Sequence, residues 1–285
     1  MDERTLSIAS DTYREVIMEL EYKEINLEER TPDNVIQMDI SAVKTLQIGY
    51  HAETIFLHIT EEESFTLKEY IGYTAYEYLA KVNANRFKTT IRYGRRENVN
   101  TDTYVDIYLP ASWKGELLVY TQYGSIRCQD SICLERLASE SSEGSIDFHE
   151  LKVPRIRLAS SNNSVHVDKV VGFADIHTTS GSIRVDSIDG GAKFETSTGE
   201  MTATFHSLNN VVQCDSLSGK MNLTFTEGCN INVDGITKRG EITSHIEGIE
   251  VRQKPNNVKN VIGQFGAKPY QNVKLSTING SIELK

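Results

Sequence analysis

The sequence predicts an all-β fold, a β-solenoid (parallel β-helix) with rungs of about 20 residues, on three observations. A short segment recurs eight times, a glycine or asparagine stands at its centre, and apolar and polar residues alternate on both sides. The segments are QYGSIRC (122–128), SEGSIDF (142–148), SNNSVHV (161–167), TSGSIRV (179–185), STGEMTA (197–203), LSGKMNL (217–223), KRGEITS (238–244) and INGSIEL (278–284). Their centres, Gly124, Gly144, Asn163, Gly181, Gly199, Gly219, Gly240 and Gly280, are separated by 20, 19, 18, 18, 20, 21 and 40 residues, the last gap being two periods.

Glycine, and after it asparagine, enters left-handed backbone most cheaply, so each centre is expected to be a tight left-handed corner. Two and four residues downstream the chain is mostly apolar, as in Ile146/Phe148, Val165/Val167 and Ile183/Val185, with polar residues between. That period of two is a strand with one buried face. Three residues upstream stands a hydroxyl in every unit: Thr121, Ser141, Ser160, Thr178, Thr196, Ser216, Thr237 and Thr277. Stacked, these hydroxyls make a ladder that can bond its neighbours or the corner backbone. Units this short leave no room for a βαβ crossover, and their constant register favours stacked rungs over a meander. At about 4.8 Å per rung, eight units span roughly 40 Å.

Residues 1–34 form an acidic N-terminal segment, with ten acids against four bases, read as a solvated edge element. Residues 35–285 are read as one solenoid domain with regular rungs from about 115. Before those, Ile36/Met38/Ile40, Ile55/Leu57/Ile59 and Val105/Ile107/Leu109 are looser strands, irregular early rungs or a cap. The stretch 246–272, with Pro255 and Pro269, is expected to leave the rung as a hairpin or loop. Asn279–Lys285, last in sequence, is expected to be an exposed strand edge through which the solenoid end self-associates.

Composition narrows function. With 40 acids, 30 bases and a net charge of −10, the chain lacks a phosphate-neutralising surface, so no nucleic-acid partner is expected. No run of 18 apolar residues occurs, and MDERTLSIAS carries charge where a secretory signal has its apolar stretch. The chain as written is therefore expected to be cytoplasmic, without an integral membrane span. Cys128, Cys133, Cys214 and Cys229 are read as free, buried thiols.

The stretches ISAVKTLQIGYHAETIFLHIT (40–60), VDIYLP (105–110), the TSGSIRV-like corners, IGQFG (262–266) and NVKLSTINGSIEL (272–284) resemble the bacterial β-strand-repeat family labelled "putative adhesin", related to cell-envelope-stress proteins. The resemblance covers roughly residues 38–285. It implies a right-handed β-solenoid without an established enzyme activity, at the cell envelope. Members often carry a membrane anchor.

The function expected is a non-enzymatic binding or scaffold module that presents solenoid faces to a protein or glycan. The alternative is a carbohydrate-active β-helix enzyme, which needs paired carboxylates or a metal-assisted acid and base on one face. Outward positions three residues after the corner read Arg127, Asp147, His166, Arg184, Thr202, Asn222, Thr243 and Glu283, which stack no two acids on adjacent rungs. Arg127, Asp147, His166 and Arg184 would form one column, read as an exposed salt-bridge ladder. The remaining histidines, His51, His58, His149, His177, His206 and His245, show no ligand spacing, so no metal, cofactor or catalytic residue is expected. Tyr70, Tyr73, Tyr76 and Tyr78 are read as cap packing rather than a sugar-stacking platform.

Overall fold

The computed structural model describes residues 30–96 and 103–285. The part described below is the compact unit Asp33–Lys285; the acidic segment lies, up to residue 29, outside the described residues. The strands in order are β1 (Asn34–Met38), β2 (Thr45–Gly49), β3 (Thr54–Thr60), β4 (Phe65–Tyr70), β5 (Lys81–Ala84), β6 (Lys88–Arg92), β7 (Tyr104–Pro110), β8 (Glu116–Thr121), β9 (Ile126–Ile132) and β10 (Arg136–Ser141). There follow β11 (Ile146–Ser160), β12 (Val165–Thr178), β13 (Ile183–Thr196), β14 (Met201–Ser216), β15 (Met221–Phe225), β16 (Ile231–Thr237), β17 (Ile242–Ser244), β18 (Ile249–Gln253), β19 (Lys259–Phe265), β20 (Gln271–Thr277) and β21 (Ile282–Leu284).

The chain is a β-solenoid with two stacked faces. One face runs β6, β2, β8, β10, then the second halves of β11 to β14, then β20 and β16, all parallel. The other runs β7, β3, β9, the first halves of β11 to β14, then β15, β21 and β17. Like residues lie on like because each rung repeats the same alternation: Ile146 pairs with Val165, and Val165 with Ile183. The apolar sets of both faces meet in one core, with Phe148, Phe194 and Phe205 fully enclosed.

The corners correct the left-handed expectation. None of the seven corner glycines has a positive φ, and neither does Asn163. At the seven glycine corners crowding excludes a side chain instead, whereas the Asn163 rung accommodates a Cβ in the same column. A Cβ on Gly144 would lie 1.9 Å from the carbonyl oxygen of Gly124, one on Gly181 1.8 Å from that of Asn163, and one on Gly199 1.9 Å from that of Gly181. The hydroxyl ladder closes the same corner: Ser141 Oγ accepts from Gly144 N (2.8 Å) and donates to the Gly124 carbonyl (2.9 Å). Ser160 does the same for Asn163 N (3.2 Å) and the Gly144 carbonyl (3.0 Å). Positive φ occurs at a second bend of the rung, at Gly172 (φ 142°) and Gly190 (φ 150°), where a Cβ on Gly190 would also meet the Gly172 carbonyl at 1.9 Å.

Both ends of the stack depart from sequence order. The rung of β20 and β21 sits between β14/β15 and β16/β17, so Asn279–Lys285 is an interior strand and not an edge. The column confirms this, since a Cβ on Gly280 would meet the Gly219 carbonyl and one on Gly240 the Gly280 carbonyl. The edge expectation fails because the chain runs past its last rung, forms the antiparallel β18–β19 hairpin on β16, and returns inside. At the other end β2 and β3 lie between β6/β7 and β8/β9, and antiparallel β4, β1 and β5 flank them. On the β16 face and at the β6/β7 end the outermost strands are thus antiparallel additions, which interrupt the parallel template a bare rung would offer, whereas on the other face the stack ends on the short parallel strand β17.

The β2–β3 rung carries Glu53 where later rungs carry glycine; its carbonyl underlies Gly124. Buried Glu53 accepts from the N–H groups of His51 (3.0 Å) and Ala52 (2.9 Å) and from Arg96 Nε (2.5 Å). Arg96 Nη2 also faces buried Glu69 at 3.6 Å. One guanidinium thus partly compensates two buried carboxylates, which would otherwise be costly to desolvate. Cys128, Cys214 and Cys229 are buried, and burial pushes the Cys128 thiol up to about 12. Cys133, expected inside, is exposed in the connection just past the end of β9; all four are free.

Candidate functional site

Outward side chains of adjacent rungs fall into columns, so a site on this fold is assembled from residues about 20 apart in sequence. On the face that follows the corner, Arg127, Asp147, His166 and Arg184 do form one column, continuing through Thr202, Asn222, Glu283 and Thr243. Two residues further along the same strands lie His149, Asp168 and Asp186, which the sequence reading did not bring together. His166 is the hub: its Nδ1 lies 3.4 Å from Asp147 Oδ1, and its Nε2 lies 3.3 Å from Asp168 Oδ1 and 3.4 Å from Asp186 Oδ2. His149 Nδ1 faces Asp168 Oδ2 at 2.7 Å, and Arg184 Nε donates to Asp186 Oδ1 at 2.7 Å. The hydrogen bond to Asp147 holds the His166 imidazolium form above its ordinary range, against burial, and Arg184 holds the Asp186 carboxyl below its own. Among the described residues, His166, Asp168 and Asp186 are the three groups whose ligand atoms all lie within 4.8 Å of one another.

On the opposite face, four residues before the Gly144, Gly181, Gly199 and Gly219 corners, stand Glu140, His177, Glu195 and Asp215, with Ala159 at that place before Asn163. They line an open furrow of about 520 Å³ together with hydroxyls including Thr179 and Ser197. His177 bridges Asp175 (Nε2 to Oδ1, 2.8 Å) and Glu195 (Nδ1 to Oε2, 3.0 Å). A second hollow of about 360 Å³, lined by Tyr120, Arg136 and Arg157, adjoins it through Glu140 and Ala159. Acids do stack on adjacent rungs here, since Glu195 is the register partner of Asp215. The sequence scan missed them because it read only the strand after the corner; scanning the position four residues before it finds them.

The tyrosines do not make a platform. Tyr70 is buried and stacks on Tyr104 at 4.4 Å, Tyr73 stacks on Tyr78 at 4.7 Å, and Tyr76 is exposed with the Lys81 ammonium over its ring.

The Toastrack DUF4097 family profile matches residues 79–285. The chain belongs to that family. Among solved structures, this Toastrack chain is similar to a "putative adhesin" from Bacteroides fragilis, at 9% identity and TM-score 0.51, over 88% of this chain and 96% of that one. A "putative adhesin" from Parabacteroides distasonis matches at 11% identity and TM-score 0.47, over 88% and 96%. A "putative cell adhesion protein" from Clostridium sporogenes matches at 12% identity and TM-score 0.33, over 88% and 97%. No curated protein matches the chain. The Bacteroides likeness is one of fold. Among the described residues, no helix is long and apolar enough to cross a membrane.

Proposed function

We propose that this Toastrack chain is a non-enzymatic binding module of the cell envelope, and that the furrow before the hydroxyl corner is where it holds a glycan chain. The observation that carries the reading is the furrow itself, an open trough that crosses successive rungs, with a hydroxyl at each and Glu140, His177, Glu195 and Asp215 along its length. A repeating row of hydrogen-bonding groups suits a repeating polymer of hydroxyls, and extended solenoid faces are suited to long partners. The adhesin name of the Bacteroides neighbour agrees with adhesion as the task.

The test is a glycan array probed with the full chain, followed by calorimetry on the hits. Binding that falls at least tenfold in Glu195→Gln and in His177→Ala, with melting unchanged, supports the reading. Binding indifferent to both variants, or to a protein partner alone, overturns the furrow as a glycan site.

One observation favours the enzymatic alternative: the stacked carboxylates Glu195 and Asp215. Glycoside hydrolysis needs two carboxyls in distinct protonation states flanking the bond. Release of new reducing ends from a bound glycan, lost in Asp215→Asn, would replace the adhesin reading with that one.

A further inference from the structure

We infer that His166, Asp168 and Asp186 form a zinc-class divalent cation site on the face opposite the furrow, independent of the glycan reading. One ligand atom from each of the three residues lies within 4.8 Å of the others, and His166 Nε2 faces Asp168 Oδ1 and Asp186 Oδ2 directly. Zinc takes histidine nitrogen and aspartate oxygen at about 2.0–2.1 Å, so the edges of a tetrahedral site are roughly 3.3–3.4 Å long. The two edges that meet at Nε2, 3.3 and 3.4 Å, already have that length.

The outer shell carries the argument beyond a group of acids. Each ligand has its remaining polar atom held by a different neighbour: Asp147 Oδ1 faces Nδ1 of His166 (3.4 Å), His149 faces Oδ2 of Asp168 (2.7 Å), and Arg184 holds Oδ1 of Asp186 (2.7 Å). Metal-binding histidines are oriented in this manner by a carboxylate on the distal nitrogen. In the ion-free chain Nε2–H of the imidazolium faces Asp168 Oδ1 and Asp186 Oδ2; a divalent ion would replace that proton, with the remaining hydrogen on Nδ1 toward Asp147. Arg184 Nη2 also approaches Asp186 Oδ2 at 3.4 Å, a longer contact than the one Nε makes to Oδ1.

One neutral imidazole and two carboxylates match the charge of a divalent ion, and the nitrogen ligand selects zinc, cobalt or nickel over calcium. All three ligands sit on the regular strands β12 and β13, so their spacing is fixed by the rung register. Their partial exposure, 32%, 42% and 40% of the side chains, leaves a fourth position open to water.

The experiment is titration of the full chain, stripped with chelator, with Zn²⁺ by calorimetry and with Co²⁺ by visible absorption. The result expected is one ion per chain and the intense visible bands of tetrahedral cobalt. Both signals should vanish in His166→Gln and in Asp168→Asn, and affinity should fall about tenfold in Asp147→Asn, an outer-shell change. His177→Gln should leave both unchanged. Absence of saturable one-to-one binding, or binding that persists in folded His166→Gln or Asp168→Asn, overturns the inference. Should one of these variants fail to fold, the other gives the readout.

Discussion

The two bends of a rung use glycine for different reasons. At the hydroxyl corner the backbone is ordinary, and the carbonyl of the rung below occupies the space a Cβ would take, 1.8 Å away at Gly181. At the opposite bend Gly190 meets a carbonyl at 1.9 Å and also holds φ at 150°, which L side chains rarely adopt. Gly72 isolates the second cause, with φ at 75° and nothing within 4 Å of its missing Cβ. A recurring glycine is therefore a record of stacking distance alone at one bend and of stacking distance together with dihedral angle at the other. Stacking distance is the more general constraint, because it acts at all seven glycine corners as well as at Gly190, while the Asn163 and Glu53 rungs accommodate a Cβ.

Substitutions separate these causes in order of size. Gly190→Ala carries both and is expected to cost the most, about 4 kcal/mol, as collision and strain combine. Thermal and urea unfolding check it, and a loss no larger than that of Gly72→Ala would mean that the bend relaxes freely. Ser141→Ala leaves the buried Gly144 N–H without its acceptor and should cost about 1–3 kcal/mol. Gly72→Ala tests dihedral strain alone, at roughly 1 kcal/mol, and Gly72→Asn should cost less because asparagine tolerates that region.

The smallest effect is electrostatic. Glu283, three residues past the Gly280 corner, is held down to about 2 by hydrogen bonds from Lys220 and Lys285, each at 2.9 Å. A depressed carboxyl contributes stability that is present above its unfolded value of 4.5 and is lost as pH falls from there toward 2. Acid melts of the parent and Glu283→Gln should therefore differ at pH 6 and converge near pH 2. Equal melting of the two at pH 6 would remove Glu283 from the account.

Much of the fold was legible because the rung writes itself into the sequence at fixed register: Ile146, Val165 and Ile183 recur with their hydroxyls and glycines. The β2–β3 rung was harder to read, since Glu53 stands in the glycine position and hides the corner. The inserted rungs were illegible for a different reason. A period read along the chain orders units by sequence, whereas β21 pairs with both β15 and β17. The candidate sites suffered from the same limit: His166 was visible in its column, but Asp168 and Asp186 belong to a parallel column two residues on. Glu195 and Asp215 lie on the other side of the corner.

Gly181→Asn compared with Gly181→Ala tests the stacking claim most directly. Asparagine relieves a dihedral constraint but not a collision. If the carbonyl of Asn163 excludes any Cβ, both variants lose stability alike, by about 3 kcal/mol in urea unfolding. If Gly181→Asn instead unfolds like the parent while Gly181→Ala does not, the corner glycines are there for their dihedral angles and the stacking account is wrong.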